Sequence, residues 1–236
     1  MADTTATLSG LGRRYGLYPE QVVRLAKLLD YLAADGLAPT TVTEPDRAVD
    51  VHLADSLVAL ELTALRDASS IVDIGAGAGF PGLALAVALS GGQLTLVDSN
   101  GRKCEFVARM VTAAGIENAA VVCARVEEWP DGIGAHDVAL ARAVGPQPVV
   151  LEYAAPLLRV GGTLVDWRGQ RDHEEEERSL RACSQLGLEL VRIEHVQPFP
   201  SARDRHLHTF LKKAETPERF PRRVGMARKR PLADGA

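Results

Sequence analysis

Three glycines at alternate positions, Gly75, Gly77 and Gly79, follow the apolar run Ile71-Val72-Asp73-Ile74 and precede Phe80-Pro81-Gly82. A backbone without Cβ atoms turns tightly there and comes close to a ligand. The segment therefore reads as a strand, a ligand-cradling turn that includes Phe80, and a helix. Gly77-Ala78-Gly79-Phe80-Pro81-Gly82 also satisfies the dinucleotide pattern GxGxxG, so charge must choose the ligand. A pyrophosphate wants free N–H donors at a helix N-terminus and no anion close by. Asp73 lies two residues before the first glycine, and Pro81 removes a donor from the expected first turn. Both features count against a phosphate. They suit S-adenosylmethionine, whose ammonium and sulfonium are cations.

The ends of the following strands carry the next candidates. Asp98 closes Leu96-Val97-Asp98, where a carboxylate can accept two hydrogen bonds from a ribose diol. Asp98 fits either nucleotide cofactor, and its alternative role is to cap the helix after Ser99. In Ala124-Arg125-Val126-Glu127-Glu128-Trp129, Val126 can cover an adenine face while the backbone near Glu127 reads its amino group. Arg142 closes the fourth strand and would hold a substrate phosphate or the cofactor carboxylate, or serve as an ion-pair partner. The six histidines show no metal-ligand spacing beyond the weak His206-x-His208 pair, so no metal is expected.

These residues need a frame. After Ala68, β-rich runs at residues 70–74, 93–97, 119–123, 137–141 and 162–167 alternate with helical runs at 83–89, 103–114, 149–158 and 174–186. That rhythm means βαβ units and a mainly parallel sheet with right-handed crossovers. Two further strands, 188–196 and 206–212, have no helix between them and predict an antiparallel hairpin closing one sheet edge. Upstream, residues 19–36 and 52–65 place apolar side chains at helical spacing and form a small cap. The expected organisation is a helical cap over residues 1–67, an α/β domain over 68–213 and a basic tail over 214–236.

Composition sets the outer limits. In 236 residues, 46% are hydrophobic and 25% charged, the balance of an ordinary globular protein. The longest apolar run, residues 83–89, is far short of the ~20 that a membrane span needs, and the first 16 residues lack a signal-peptide core. Cys104, Cys123 and Cys183 form no CxxC pair, and an odd count without a signal suits a reducing cytoplasm and buried, inert thiols. The net charge of −4 is uneven: the last 25 residues hold eight Lys/Arg against three acids, leaving −9 on the rest. Such a tail is expected to dock on a polyanion rather than pack.

Taken together, these pieces resemble the bacterial glucose-inhibited division protein B family, the small-subunit rRNA (guanine-N7) methyltransferases. The resemblance rests on an ordered set: His52-Leu53-Ala54-Asp55-Ser56-Leu57, the loop from Asp73 to Gly82, Asp98-Ser99 with Arg102-Lys103, Arg125-Val126-Glu127-Glu128, Arg142-Ala143, Arg168-Gly169 and Asp204-Arg205-His206. The basic end, Phe220-Pro221-Arg222-Arg223-Val224-Gly225 through Lys229-Arg230-Pro231-Leu232, looks like the tail of part of that family. The chain departs from it in two places: Val51 stands where the family usually has Arg, and Trp167-Arg168-Gly169 replaces Leu-Lys-Gly.

The resemblance implies a Rossmann-like class I S-adenosylmethionine-dependent fold with a seven-stranded sheet. It implies Gly75, Phe80, Val126, Glu127 and Arg142 as cofactor contacts, and a guanine in the decoding-region hairpin of 16S rRNA as substrate. Guanine N7 attacks with a lone pair and has no proton to lose, so no general base is required. Consistent with this, the chain has no Pro-Pro, which loops for exocyclic amines typically carry, and no cysteine beside a proline, as cytosine C5 enzymes use. An oxygen acceptor, a small molecule or a protein substrate stays open, as do a nicotinamide-dependent oxidoreductase and a non-catalytic rRNA binder. Asp55 and Arg142 are the candidates for positioning. Arg102, Lys103, Arg168, Arg205, Arg222, Arg223, Arg228, Lys229 and Arg230 would grip phosphates of free 16S rRNA or of the small subunit. Base-stacking candidates are Phe80, Trp129, Trp167 and Phe199. A cytoplasmic monomer is expected, whose tail could be removed without loss of cofactor affinity.

Overall fold

The computed structural model describes residues 4–232; the first three residues of the expected cap and the last four of the expected tail lie outside the described residues. Seven strands form one sheet: β1 (Ser70–Ile74), β2 (Gln93–Asp98), β3 (Ala119–Cys123), β4 (His136–Arg142), β5 (Leu158–Arg168), β6 (Leu188–His195) and β7 (His206–Lys212). Their order is β3-β2-β1-β4-β5-β7-β6, with β7 running antiparallel to the other six. The Rossmann-like sheet and its antiparallel edge hairpin are thus as the sequence predicts. Chain order reverses between β1 and β4, and in open α/β sheets ligands bind outside the carboxyl ends of the strands at such a switch point.

Helices flank the sheet because its strands are apolar on both faces. Ile71 and Leu140 bury toward one layer, Val72 and Ala139 toward the other. The first layer holds α2 (Pro19–Ala34), α6 (Gly82–Ala88) and α7 (Gly101–Ala114), and the second holds α8 (Gln147–Ala154) and α9 (His173–Leu186). Asn100 accepts a hydrogen bond from the Lys103 amide to begin α7, and Gly115, at φ 65°, ends it. The helix after Ser99 is therefore capped by Asn100, which leaves Asp98 for another task. From α2, Gln21 Nε2 donates to the Val87 and Ala88 carbonyls at the end of α6 (2.8 and 3.1 Å) and fastens the cap to the sheet layer.

Four expectations are corrected. The predicted helix over 52–65 is broken into α3 (Pro45–Ala48), a π-helical turn (Val49–Ala54), α4 (Asp55–Leu57), a 3-10 turn (Val58–Glu61) and α5 (Thr63–Arg66). The stripe Leu53, Leu57 and Leu60 still buries, so periodicity reports the face but not the bends. A helix that the pattern did not announce, α1 (Thr4–Tyr15), contains two glycines, which read as breakers; a Cβ on Gly12 would stand 2.7 Å from Val22. That glycine permits α1 to touch α2. Of the thiols, Cys104 and Cys183 are buried, whereas Cys123 is exposed on β3, an edge strand. Finally, the basic tail packs: Phe220 and Ala227 are buried in the α8 layer, and α10 (Met226–Lys229) lies on α8. Among the described residues no helix is long and apolar enough to cross a membrane.

Candidate functional site

Two cavities open at the carboxyl end of the sheet and meet at Ala143. Ala143 has φ 57°, a left-handed backbone costing a non-glycine residue of order 1 kcal/mol, and such strain concentrates where a site imposes it. The first cavity, about 370 Å³, runs from Gly75 past Asp98, Ser99 and Lys103 to Val126, Glu127 and Tyr153. The second, about 480 Å³, is lined by His52, Asp55, Arg142, Trp167, Arg168 and Arg205 among others.

The ends of β1, β2 and β3 build the first cavity. Gly75 adopts φ 66°, a left-handed backbone that favours glycine, and a Cβ there would crowd the Val144 side chain at 3.2 Å. Asp98 ties the turn to β2: its Oδ2 accepts from the Gly77 amide (3.0 Å) and its Oδ1 from the Asn100 amide (2.9 Å). A carboxylate thus takes a loop donor that a phosphate would need, while each oxygen keeps a second lone pair. Lys103 Nζ stands 3.9 Å from Asp98, too long for a hydrogen bond but close enough to leave a cation at the rim. Glu127 Oε1 accepts from the Gly225 amide at 3.1 Å, which brings the C-terminal segment to this wall.

Side chains distant in sequence build the second cavity. Arg142 Nη1 donates to Asp55 Oδ2 at 2.8 Å and to the Val51 carbonyl at 3.1 Å, and Nη2 donates to the Phe80 carbonyl at 3.3 Å. One guanidinium therefore joins β4, the glycine loop and the broken helical segment. Arg205 Nε lies 3.4 Å from Asp55 Oδ1, an ionic contact outside hydrogen-bond geometry. Trp167 Nε1 donates to the Asp55 carbonyl at 2.8 Å. The His52 ring stacks on Phe80, with centroids 4.8 Å apart, and burial holds its pKa below the usual imidazole value. At this cavity His52 is a neutral ring.

A buried polar cluster backs Arg168. Gln147 Nε2 lies 3.0 Å from Asp166 Oδ2 and 2.9 Å from His208 Nδ1, while Arg168 pairs with Glu175 at 2.8 Å. Burial raises Asp166 to about 7 and lowers His208 to about 4. The cluster orients the strand end that carries Trp167 and Arg168.

The sequence-derived residues divide accordingly. Gly75, Asp98, Val126 and Glu127 gather in the first cavity, joined by Lys103. Gly77 and Gly79 shape the turn from behind; a Cβ on Gly79 would meet Leu83 at 2.5 Å. Asp73 is turned inward, its Oδ2 accepting from the Gly82 amide at 2.8 Å, and burial raises its pKa to about 7. Its charge does not face a ligand, so the cofactor argument built on that acid is corrected; the Asp98 contact with the loop takes its place. Phe80 is buried beneath His52, and Arg142 lies with Asp55, Arg168 and Arg205 on the other side of Ala143. Of the stacking candidates, only Trp167 lines this cavity; Trp129 packs on His136 and Phe199 against the core.

Arg102, Arg223, Lys229 and Arg230 are exposed, whereas Arg222 forms a bidentate pair with buried Glu152 and Arg228 Nη2 donates to the Val144 carbonyl at 2.9 Å. Sequence reasoning named His52 only within a motif and Arg228 as a phosphate contact, and it missed Tyr153 altogether; the structure makes all three lining residues. Among the described residues no cluster of three His, Cys, Asp or Glu could hold a metal ion.

A family model described as rRNA small subunit methyltransferase G, GidB, matches residues 21–208. The chain is 39% identical over 197 residues to the ribosomal RNA small subunit methyltransferase G of Synechococcus elongatus, covering 82% of this chain and 81% of that protein. Identity to the protein of the same name from Syntrophomonas wolfei is 37% over 186 residues, covering 78% and 86%. Among solved structures, a SAM-dependent methyltransferase from Aquifex aeolicus shares the fold at a TM-score of 0.57 and 17% identity, covering 73% of this chain and 97% of that one. An Aeropyrum pernix fibrillarin with bound S-adenosylmethionine does so at 0.55 and 18%, covering 67% and 73%.

Proposed function

Since the chain belongs to the rRNA small subunit methyltransferase G family, we propose that it transfers a methyl group from S-adenosylmethionine to N7 of a guanine in the decoding-region hairpin of 16S rRNA. The observation that carries this reading is the pair of cavities meeting at Ala143, one lined by backbone and a ribose-competent carboxylate, the other by arginines and a carboxylate. When bound, S-adenosylmethionine supplies a sulfonium whose methyl carbon accepts an incoming lone pair while the carbon–sulfur electrons stay on sulfur. Guanine N7 has the lone pair and no proton to lose, so the chain contributes position and electrostatics.

The residues fit those tasks. Gly75 admits the ligand backbone, Asp98 has lone pairs left for a ribose diol, and Val126 and Glu127 take the adenine end. Ala143 separates the two reactant sites with a single residue. On the far side Arg142 is held rigid by three acceptors, and the Asp55 carboxylate stabilises the positive charge that N7 methylation places on the base. Arg168 and Arg205 at this cavity, with Lys103 at the first and the exposed Arg102, Arg223, Lys229 and Arg230, take RNA phosphates. The partner is 16S rRNA or the small subunit, met by a cytoplasmic monomer without a metal.

The test incubates the protein with labelled S-adenosylmethionine and 16S rRNA, free and in small subunits lacking the modification, and maps N7-methylguanine by reduction and aniline cleavage. A single cleavage in the decoding-region hairpin is expected. No incorporation into any RNA form, with cofactor binding intact, would overturn the substrate and leave the cofactor.

A further inference from the structure

The sheet alone does not close the first cavity. Beyond β7 the chain returns across α8, anchored by buried Phe220, by Arg222 on Glu152 and by the Gln185 side chain, which donates to the Leu232 carbonyl at 3.2 Å. From that anchorage two bonds reach the cavity wall: Gly225 to Glu127, and Arg228 to the carbonyl of Val144, whose side chain backs Gly75. The Arg228 side chain lines the cavity beside Val126, Glu127 and Tyr153 while the residue as a whole stays exposed.

We propose that this C-terminal strap is a wall of the S-adenosylmethionine site, with Arg228 as a cofactor-contacting residue on its adenosine side. The proposal rests on the functional reading above. A guanidinium carries five N–H donors, and a purine and a ribose offer ring nitrogens and hydroxyl oxygens as acceptors. Arg228 donates to the Val144 carbonyl and also engages the Tyr153 hydroxyl at the cavity wall, and its five N–H groups leave further donors for the cavity, at the side where Val126 and Glu127 lie. The strap also holds Glu127 and Val144 from outside, so its loss loosens both faces of the pocket. Such a role opposes the expectation that the tail can be removed without cost to cofactor affinity.

Removing the whole strap would strip buried Phe220 and Ala227 from α8, so the test uses one exposed side chain. Binding of S-adenosylhomocysteine to the full chain is measured by calorimetry for wild type and Arg228→Ala. The expected result is about tenfold weaker binding, the scale of one lost charge-assisted hydrogen bond, with the melting temperature of the free protein unchanged. By reciprocity, S-adenosylhomocysteine slows tryptic cleavage of the wild type after Arg223 and Arg228. Unchanged affinity in Arg228→Ala, or a loss confined to rRNA binding, overturns the strap's role while the functional reading stands. If the variant melts early, the cleavage assay decides, and no protection overturns the proposal. A wild type that binds no S-adenosylhomocysteine overturns the functional reading and the strap with it.

Discussion

The two cavities that meet at Ala143 are built by different means. The first is largely a backbone construction: a turn with φ 66° at Gly75 and the ends of parallel strands joined by short segments. The second is a side-chain construction in which Asp55, Arg142 and Arg205 converge from a broken helix, a strand end and the loop that leads into β7. A site whose walls are mostly backbone is most sensitive to changes of shape. A site made of opposed buried charges tolerates neither a missing partner nor a shifted segment.

Breaking the second cavity has the largest expected effect. Arg142→Ala leaves Asp55, whose side chain is 9% exposed, with only the half-exposed Arg205, 3.4 Å away and outside hydrogen-bond geometry, as counter-charge. It should cost about 3–5 kcal/mol in urea unfolding and reduce single-turnover methyl transfer at least about a hundredfold. If the rate survives, the arginine is structural only, and the contrast drawn here loses its functional half.

Acid–base behaviour sharpens the contrast next. Burial raises Asp166, behind Arg168, to about 7 from an ordinary 3.8, so the folded state holds a proton that the unfolded state has released. Its stabilising contribution is full below pH 4 and is lost as pH rises through 7. His208, lowered to about 4, acts in the opposite direction between pH 4 and 6.5. The clean observable is therefore a difference between variants. Asp166→Asn should gain stability relative to wild type as pH rises from about 4 to about 7, by at most about 4 kcal/mol, and then level off. Unfolding curves at five pH values across this range check it; a flat difference refutes the inward carboxyl.

Shape is the weak point of the first cavity. A Cβ on Gly82 would stand 2.7 Å from Asp73 Oδ2 and 2.8 Å from Leu96, so Gly82→Ala should cost about 1–3 kcal/mol and weaken S-adenosylhomocysteine binding by shifting the loop. The smallest effect belongs to the rim. Arg205→Ala, at a side chain 39% exposed, should lower rRNA affinity a few-fold and flatten its salt dependence by about one counterion. Its affinity for S-adenosylhomocysteine should match wild type, and a parallel loss would mean that the cavities are not separable.

Much of this is legible in the amino-acid sequence. The bounds of β1, β3 and β7 follow from apolar runs and their punctuation, and the missing helix between the last two strands already declares a hairpin. The glycine turn, Asp98, Val126 and Glu127 could be read for the same reason: each sits at a strand end, and the fold brings all such ends to one edge. Legibility failed where a residue's environment is set by something distant. Asp73 looks like a ligand-facing acid in the chain, yet it turns inward to the Gly82 amide because a buried helix start needs an acceptor there. The tail's charge predicts docking on a polyanion rather than packing, yet buried Phe220 and Ala227 and the ion pair on Glu152 seat it against α8.

The amino-acid sequence by itself determined the alternation of strands and helices, the turn at the head of the sheet, and a family resemblance carried by an ordered set of short motifs. These are local properties, governed by side-chain period, backbone freedom and nearest-neighbour chemistry. Only the tertiary structure decided that Arg142 meets Asp55 across 87 positions, that Ala143 is held left-handed between two cavities, and that Arg228 returns to the wall of the first. Such contacts form only after the chain entropy of closing long loops has been offset by the whole core, so no window of neighbouring residues encodes them.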